Sequence, residues 1–124
     1  MPERVAIVGS RTYPRLGNVR SYVSSLAGDT TVISGGARGV DQAAEEEAKR
    51  LGLKLEVYPA DWTIGRGAGY ARNQTIALAC DRMVAFWDGM SRGTEHVVGC
   101  AFKLKKPVIV FGPEGGVVDG PATD

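Results

Sequence analysis

Residues 31–51 read TVISGGARGVDQAAEEEAKRL. The stretch opens on an apolar run, Thr31–Ser34, turns through Gly35, Gly36 and Gly39, and continues with helical period. Val40, Ala43, Ala44, Glu47, Ala48 and Leu51 share one face, and Glu45, Glu46, Lys49 and Arg50 lie mostly on the other. A strand that passes through a glycine turn straight into an amphipathic helix is half of a β-α-β unit.

The same alternation extends in both directions. Apolar runs occur at Val5–Val8, Leu53–Tyr58, Met83–Trp87 and Pro107–Phe111. Val5–Val8, Met83–Trp87 and Val108–Phe111 are almost continuously apolar, the pattern of strands buried on both faces of a parallel sheet. Helical faces lie between them: Val19, Tyr22, Val23, Leu26 and Ala27; then Ala71, Thr75, Leu78 and Ala79; then Val97, Val98, Ala101 and Leu104. The order β-α-β-α-β-α-β-α-β predicts an α/β fold, a three-layer α/β/α sandwich with a mainly parallel sheet of about five strands and right-handed crossovers. One domain is expected over residues 1–111. Residues 112–124, with four Gly and two Pro, are expected to form a tail partly ordered against it.

The chain has 124 residues, enough to bury roughly two-thirds of its unfolded surface in one core. Its 44% hydrophobic and 23% charged residues argue against wholesale disorder. A formal net charge of +1 excludes a domain-wide basic footprint for duplex nucleic acid but not a local basic pocket. No apolar run approaches the ~18 residues of a membrane helix, no signal segment opens the chain, and a cytoplasmic, non-membrane protein is expected. Cys80 and Cys100 read as two small core residues, and with one histidine, His96, no metal site is expected. Glycine is 17 of 124 residues, about twice the usual share, which suggests loops where backbone approaches something closely.

In an open parallel sheet ligands bind beyond the carboxyl ends of the strands, so the loops there carry the chemistry. These loops contain Gly9-Ser10-Arg11, then Ser34 to Asp41, then Pro59 to Trp62 leading into Gly65 to Asn73, then Asp88 to Glu95. Of ten arginines, Arg11, Arg38, Arg66, Arg72 and Arg92 fall in them, and none of the five lysines does. Arginine presents a planar fork suited to phosphate or carboxylate, so this edge predicts an anionic ligand. Gly35, Gly36, Arg38 and Gly39 open one helix, and Ser91, Arg92, Gly93 and Thr94 open another. Free N–H groups at such turns attract phosphate, and Ser91 and Thr94 have the alternative role of helix caps. Asp41 suits the helix dipole and reads as structural. Trp62 and Trp87 each have two readings, a ring on which a base stacks or, more often for such residues, a plug of the core or rim, and His96 reads as a surface or satisfied histidine. Neither a dinucleotide GxGxxG after the first strand nor a GxxxxGK[ST] loop occurs, which removes ordinary dehydrogenase and P-loop readings.

Taken in order, GlySerArg after the first strand, SerGlyGlyAlaArgGlyValAsp, ProAlaAspTrp, AlaGlyTyrAlaArgAsnGln, AlaPheTrpAspGly and SerArgGlyThr resemble the SLOG superfamily of Rossmann-like proteins over residues 4–111. The closest resemblance is to its small single-domain branch related to YspA and YpsA. The same elements resemble the Rossmann domain of the DprA family, and the Lonely Guy phosphoribohydrolases belong to the same superfamily. Against the Lonely Guy motif, Arg72 matches the upstream arginine and Gly93-Thr94 the GlyThr, but the glutamate position falls on Val97, and Glu95 lies about 200° away around the helix.

The resemblance implies a nucleotide pocket and a homodimer or larger oligomer. The leading expectation is binding or sensing of a nucleoside phosphate or an NAD-derived ligand of ADP-ribose type, with no further cofactor. Gly35, Gly36, Arg38 and Gly39 would hold one phosphate, and Ser91, Arg92, Gly93 and Thr94 a second. Gly9, Ser10, Arg11, Arg72 and Asn73 would close the pocket. One alternative is hydrolysis of a nucleotide N-glycosidic bond, with Arg72 positioning the phosphate and Glu95 as carboxylate. A further alternative is single-stranded DNA binding through the arginine pocket, against which stand the near-neutral charge and the lack of an interleaved aromatic and basic groove.

Overall fold

The computed structural model describes residues 2–119. Its elements run β1 (Arg4–Gly9), α1 (Leu16–Ser24), β2 (Thr31–Ser34), α2 (Val40–Leu51), β3 (Lys54–Val57), a short 3-10 turn (Trp62–Ile64), α3 (Ala68–Ala79), β4 (Arg82–Phe86), α4 (Arg92–Lys103), β5 (Val108–Phe111) and β6 (Val117–Val118). They form an α/β fold with one six-stranded sheet in the order β3-β2-β1-β4-β5-β6. The first five strands are parallel, and β6 runs antiparallel to β5.

Side-chain alternation along the central strands builds two cores. Val5 and Ile7 of β1, Val32 of β2 and Val84 and Phe86 of β4 face α1 and α2, where they meet Val19, Val23, Val40 and Ala44. Ala6, Val8, Ile33, Met83 and Ala85 face the opposite way and meet Ile76, Ala77, Val97, Val98 and Ala101 of α3 and α4. Continuous burial of β1, β2 and most of β4 follows from helices covering both faces. In β5, Ile109 is exposed, because the outer part of the sheet extends beyond the helices. β6 lies in the segment read from sequence as a tail. Tyr13 holds that segment by donating its hydroxyl to the Gly112 carbonyl (2.7 Å), and Arg15 donates to the carbonyl of Pro113 (3.0 Å). Residues 120–124 of the expected tail lie outside the described residues.

Three sequence expectations change. α3 buries Ala68, Asn73, Ile76 and Ala77, not the face of Ala71, Thr75, Leu78 and Ala79, and Leu78 is exposed. Small and apolar residues surround this helix, so its periodicity selects no face and contact with the sheet and α4 decides. Leu51 and Leu104 are likewise exposed at their helix ends. Cys80 is buried, but Cys100 is only half-buried, beside His96.

Close approaches of backbone fix the loops at the carboxyl edge. A Cβ on Gly9 would lie 2.4 Å from the Phe86 carbonyl and 2.7 Å from the Val40 side chain. Gly39 has φ +75°, and a Cβ there would lie 2.5 Å from the Arg11 carbonyl oxygen. Gly39→Ala is therefore expected to cost roughly 2 kcal/mol in urea unfolding, since it combines strain at positive φ with a backbone clash. Gly17→Ala, at a position with no neighbour within 4 Å, should change stability by less than about 1 kcal/mol.

Candidate functional site

Strand order reverses between β1 and β4: β1 is followed outward by β2 and β3, β4 by β5 and β6. Loops leaving β1 and β4 therefore diverge, and a cleft of about 620 Å³ opens between them. Val8, Gly9 and Ile76 line its floor. Arg11 and Thr12 flank it on the β1–α1 loop, Asp88, Met90 and Ser91 on the β4–α4 loop, and Trp62, Arg66, Tyr70, Arg72 and Asn73 around the start of α3.

Hydrogen bonds within the protein set these walls. Arg72 donates from Nη1 to the Gly35 carbonyl and from Nε to Asn73 Oδ1 (3.0 Å). Two of its five N–H donors thus hold the fork in place and the rest remain for a ligand. Asn73, buried, donates from Nδ2 to the Gly93 carbonyl (3.3 Å) and pairs with His96 Nδ1 (3.1 Å), which ties α3 to α4. Asp88 accepts from Thr12 Oγ1 (2.6 Å) and from the backbone N–H groups of Met90 (2.9 Å) and Ser91 (2.8 Å). Burial works against its charge, but these donors prevail and hold its carboxyl below the usual range. Ser91 caps α4 by accepting from the Thr94 N–H (3.3 Å).

The arginines divide into two classes. Arg4, Arg15, Arg20, Arg50 and Arg82 each form an ion pair, with Glu56, Glu114, Glu46, Glu47 and Glu3 respectively. The five loop arginines form none among the described residues. Arg11, Arg66 and Arg72 converge on the cleft. Arg38 is exposed on the β2–α2 loop outside the cleft lining, and Arg92 faces a separate groove between α3 and α4.

The other residues singled out from sequence divide in the same way. Gly9, Asn73, Ser91, Gly93 and Thr94 line the cleft with Arg11 and Arg72. Ser10 is buried behind it, accepting from the Asp88 N–H (3.0 Å) and bonding Thr94 Oγ1 (3.3 Å). Gly35 and Gly39 are packed against Arg72 and the Arg11 backbone, so chain contacts account for their missing side chains. Gly36 is exposed away from the cleft beside Val57 and Pro59. Glu95 lines the α3–α4 groove, so Arg72 and Glu95, the pair named for hydrolysis, face different hollows. Trp87 donates from Nε1 to the Ser91 carbonyl (3.2 Å) and packs on the core, as a rim plug does. Trp62 does not: it is 62% exposed at the cleft. Sequence reasoning counted Arg66 among the arginines of this edge without giving it a place in the pocket, and left Tyr70 and Asp88 out of the site. The run of Gly65, Gly67 and Gly69 around Arg66 was the available signal.

Asp41 is the unusual member. It lines the cleft at 5% exposure, its Oδ2 accepts from the Ala37 N–H (3.2 Å), and its Oδ1 has no hydrogen-bond partner. Burial pushes its carboxyl up to about 6, against the pull of the Ala37 N–H and of Arg72. Burial also lowers the basicity of His96, with the Lys103 charge adding. Among the described residues, no group of three His, Cys, Asp or Glu is gathered as a metal site, and no helix is long and apolar enough to cross a membrane.

The sequence profile of the DNA recombination-mediator protein A family matches residues 1–58. No curated protein is significantly similar to the chain in sequence. DNA processing protein A (DprA) from Streptococcus pneumoniae superposes with a TM-score of 0.79 at 21% identity, over 96% of this chain and 53% of that one. DprA from Helicobacter pylori, whose structure describes its single-stranded DNA binding mode, superposes with a TM-score of 0.64 at 23% identity, over 89% of this chain and 65% of that one. The chain thus spans about half to two-thirds of the length of these solved proteins. Its fold is the Rossmann-like fold of DprA, and its first 58 residues carry the related sequence signature.

The raised carboxyl of Asp41 has a consequence for stability. Its folded value, about 6, lies above its unfolded value, so it favours the folded state below pH ~4 and this contribution is lost as pH rises through 6. Asp41→Asn, which keeps an oxygen for the Ala37 N–H, should raise stability at pH 7.5 by ~3 kcal/mol at most. The gain should disappear near pH 4 in thermal denaturation followed across pH.

Proposed function

We propose that the cleft between β1 and β4 binds single-stranded nucleic acid. The observation that carries this reading is the set of unpaired arginines, Arg11, Arg66 and Arg72, beside two exposed aromatic rings, Trp62 and Tyr70. Guanidinium groups meet backbone phosphates, and exposed rings offer faces on which bases stack irrespective of sequence. The interleaving of basic and aromatic groups that the linear sequence hides is supplied by the turn Trp62–Ile64 and the start of α3. The likeness to a protein with a described single-stranded DNA binding mode supports the same ligand class.

A free nucleoside phosphate or ADP-ribose-type molecule is the second reading. A volume of about 620 Å³ favours it, since the cleft has the size of a small-ligand site. Hydrolysis of a nucleotide N-glycosidic bond is not supported, because Glu95 does not reach the hollow that holds Arg72.

Fluorescence anisotropy with a labelled single-stranded oligonucleotide tests the proposal. With three arginines engaged, the logarithm of the association constant should fall by roughly 2 per tenfold rise in salt. Trp62→Ala should weaken binding by about 1–3 kcal/mol, as expected for the loss of one stacked base. Arg66→Ala should weaken it and make the salt slope shallower. Saturable binding of a mononucleotide or ADP-ribose, with no oligonucleotide binding, would transfer the cleft to the second reading.

A further inference from the structure

A second hollow of about 570 Å³ runs between α3 and α4 on the outer face of the molecule. It adjoins the cleft at Tyr70, which lines both hollows. The boundary between them is built from three side chains. Tyr70 is 54% exposed and stacks on His96, with ring centroids 4.1 Å apart and planes inclined at 27°. Arg92 follows Ser91 and precedes Gly93, both of which line the cleft, yet it lines the groove. A chain leaving the cleft past Tyr70 therefore meets a stacked pair of rings and an arginine.

Beyond this ridge the groove has apolar walls and a basic far end. Leu78 and Leu104 are exposed there, at 65% and 41%. Lys103 lines the groove at the C-terminal end of α4. Neither Arg92 nor Lys103 forms an ion pair among the described residues. They stand at opposite ends of α4, about 16 Å apart at the rise of an α-helix. Glu95, in the first turn of α4 with Arg92, disfavours a phosphate on its own side of the groove, and its carboxylate can accept from base N–H groups.

We propose that the α3–α4 groove is a second subsite for the same strand. Its occupant is the nucleotide segment continuing from the cleft, with bases stacked against Tyr70 and His96 and phosphates held at Arg92 and Lys103. This inference rests on the nucleic-acid reading of the cleft. It adds a direction and a length to that reading: the strand runs over the N-terminal turn of α4 and then along the helix, not past the β2–α2 loop where Arg38 lies.

The experiment compares oligothymidylates of increasing length, from two to twelve nucleotides, on the full chain and on the double variant Arg92→Ala/Lys103→Ala. Both substituted side chains are exposed, and circular dichroism checks that the fold is kept. The wild type should gain at least fivefold in affinity once the oligonucleotide is longer than the cleft. The double variant should lose that gain while binding the shortest oligonucleotides as the wild type does. Its salt slope on the long oligonucleotide should be shallower by about 1.4. Equal affinity at all lengths, or a double variant indistinguishable from wild type on the long strand, would overturn the second subsite while leaving the cleft intact. Absence of binding at every length would instead overturn the cleft reading and this inference with it.

Discussion

The cleft depends on how closely the backbone can be brought together where β1 ends. No side chain fits at Gly9 between the Phe86 carbonyl and Val40, and none fits at Gly39 against the Arg11 carbonyl. These two contacts draw β4 and the start of α2 onto the same point of β1. The β1–α1 and β2–α2 loops are thereby pressed together, and the opening is left on the other side, toward α3 and the β4–α4 loop. Parallel strand order puts a crevice at this edge, and the glycine contacts decide which residues line it.

Charge is distributed by the same economy. Arg4, Arg15, Arg20, Arg50 and Arg82 are paired with glutamates, and among the described residues Arg11, Arg38, Arg66, Arg72 and Arg92 are not. A formal charge of +1 for the whole chain therefore conceals a local concentration of cations. Asp41 and Asp88 temper it, each held by backbone N–H donors and neither in an ion pair with the cleft arginines. Asp41 also occupies the first turn of α2 and bonds back to Ala37, so the helix start read as a phosphate cradle holds a carboxylate of the protein's own.

Much of this was legible in the sequence. Strand positions, the order of elements and the buried Glu47 follow from periodicity, because both sheet faces are covered and α2 is strongly amphipathic. Periodicity failed at α3, where alanines surround the helix and leave no unique apolar face. The convergence of Arg11 and Arg72 followed from their positions after strands. Arg66 was placed on the same edge, but the gathering of Trp62 and Tyr70 beside it did not follow, because it depends on the path of the loop between β3 and α3. Gly35 and Gly39, assigned from sequence to a phosphate, are packed against Arg72 and the Arg11 backbone, contacts that no sequence spacing discloses.

Several of the contacts around the cleft share another property: they join residues far apart in the chain. Ser10 meets Thr94, Thr12 meets Asp88, Asn73 meets His96, and Tyr13 closes on Gly112 across 99 positions. Local helical turns can form early, but bonds of this span are rewarded only after the loop-closure entropy has been overcome. The walls of the cleft therefore depend on tertiary contacts between elements distant in the chain, and a substitution that loosens those contacts would open the cleft while leaving the helices formed.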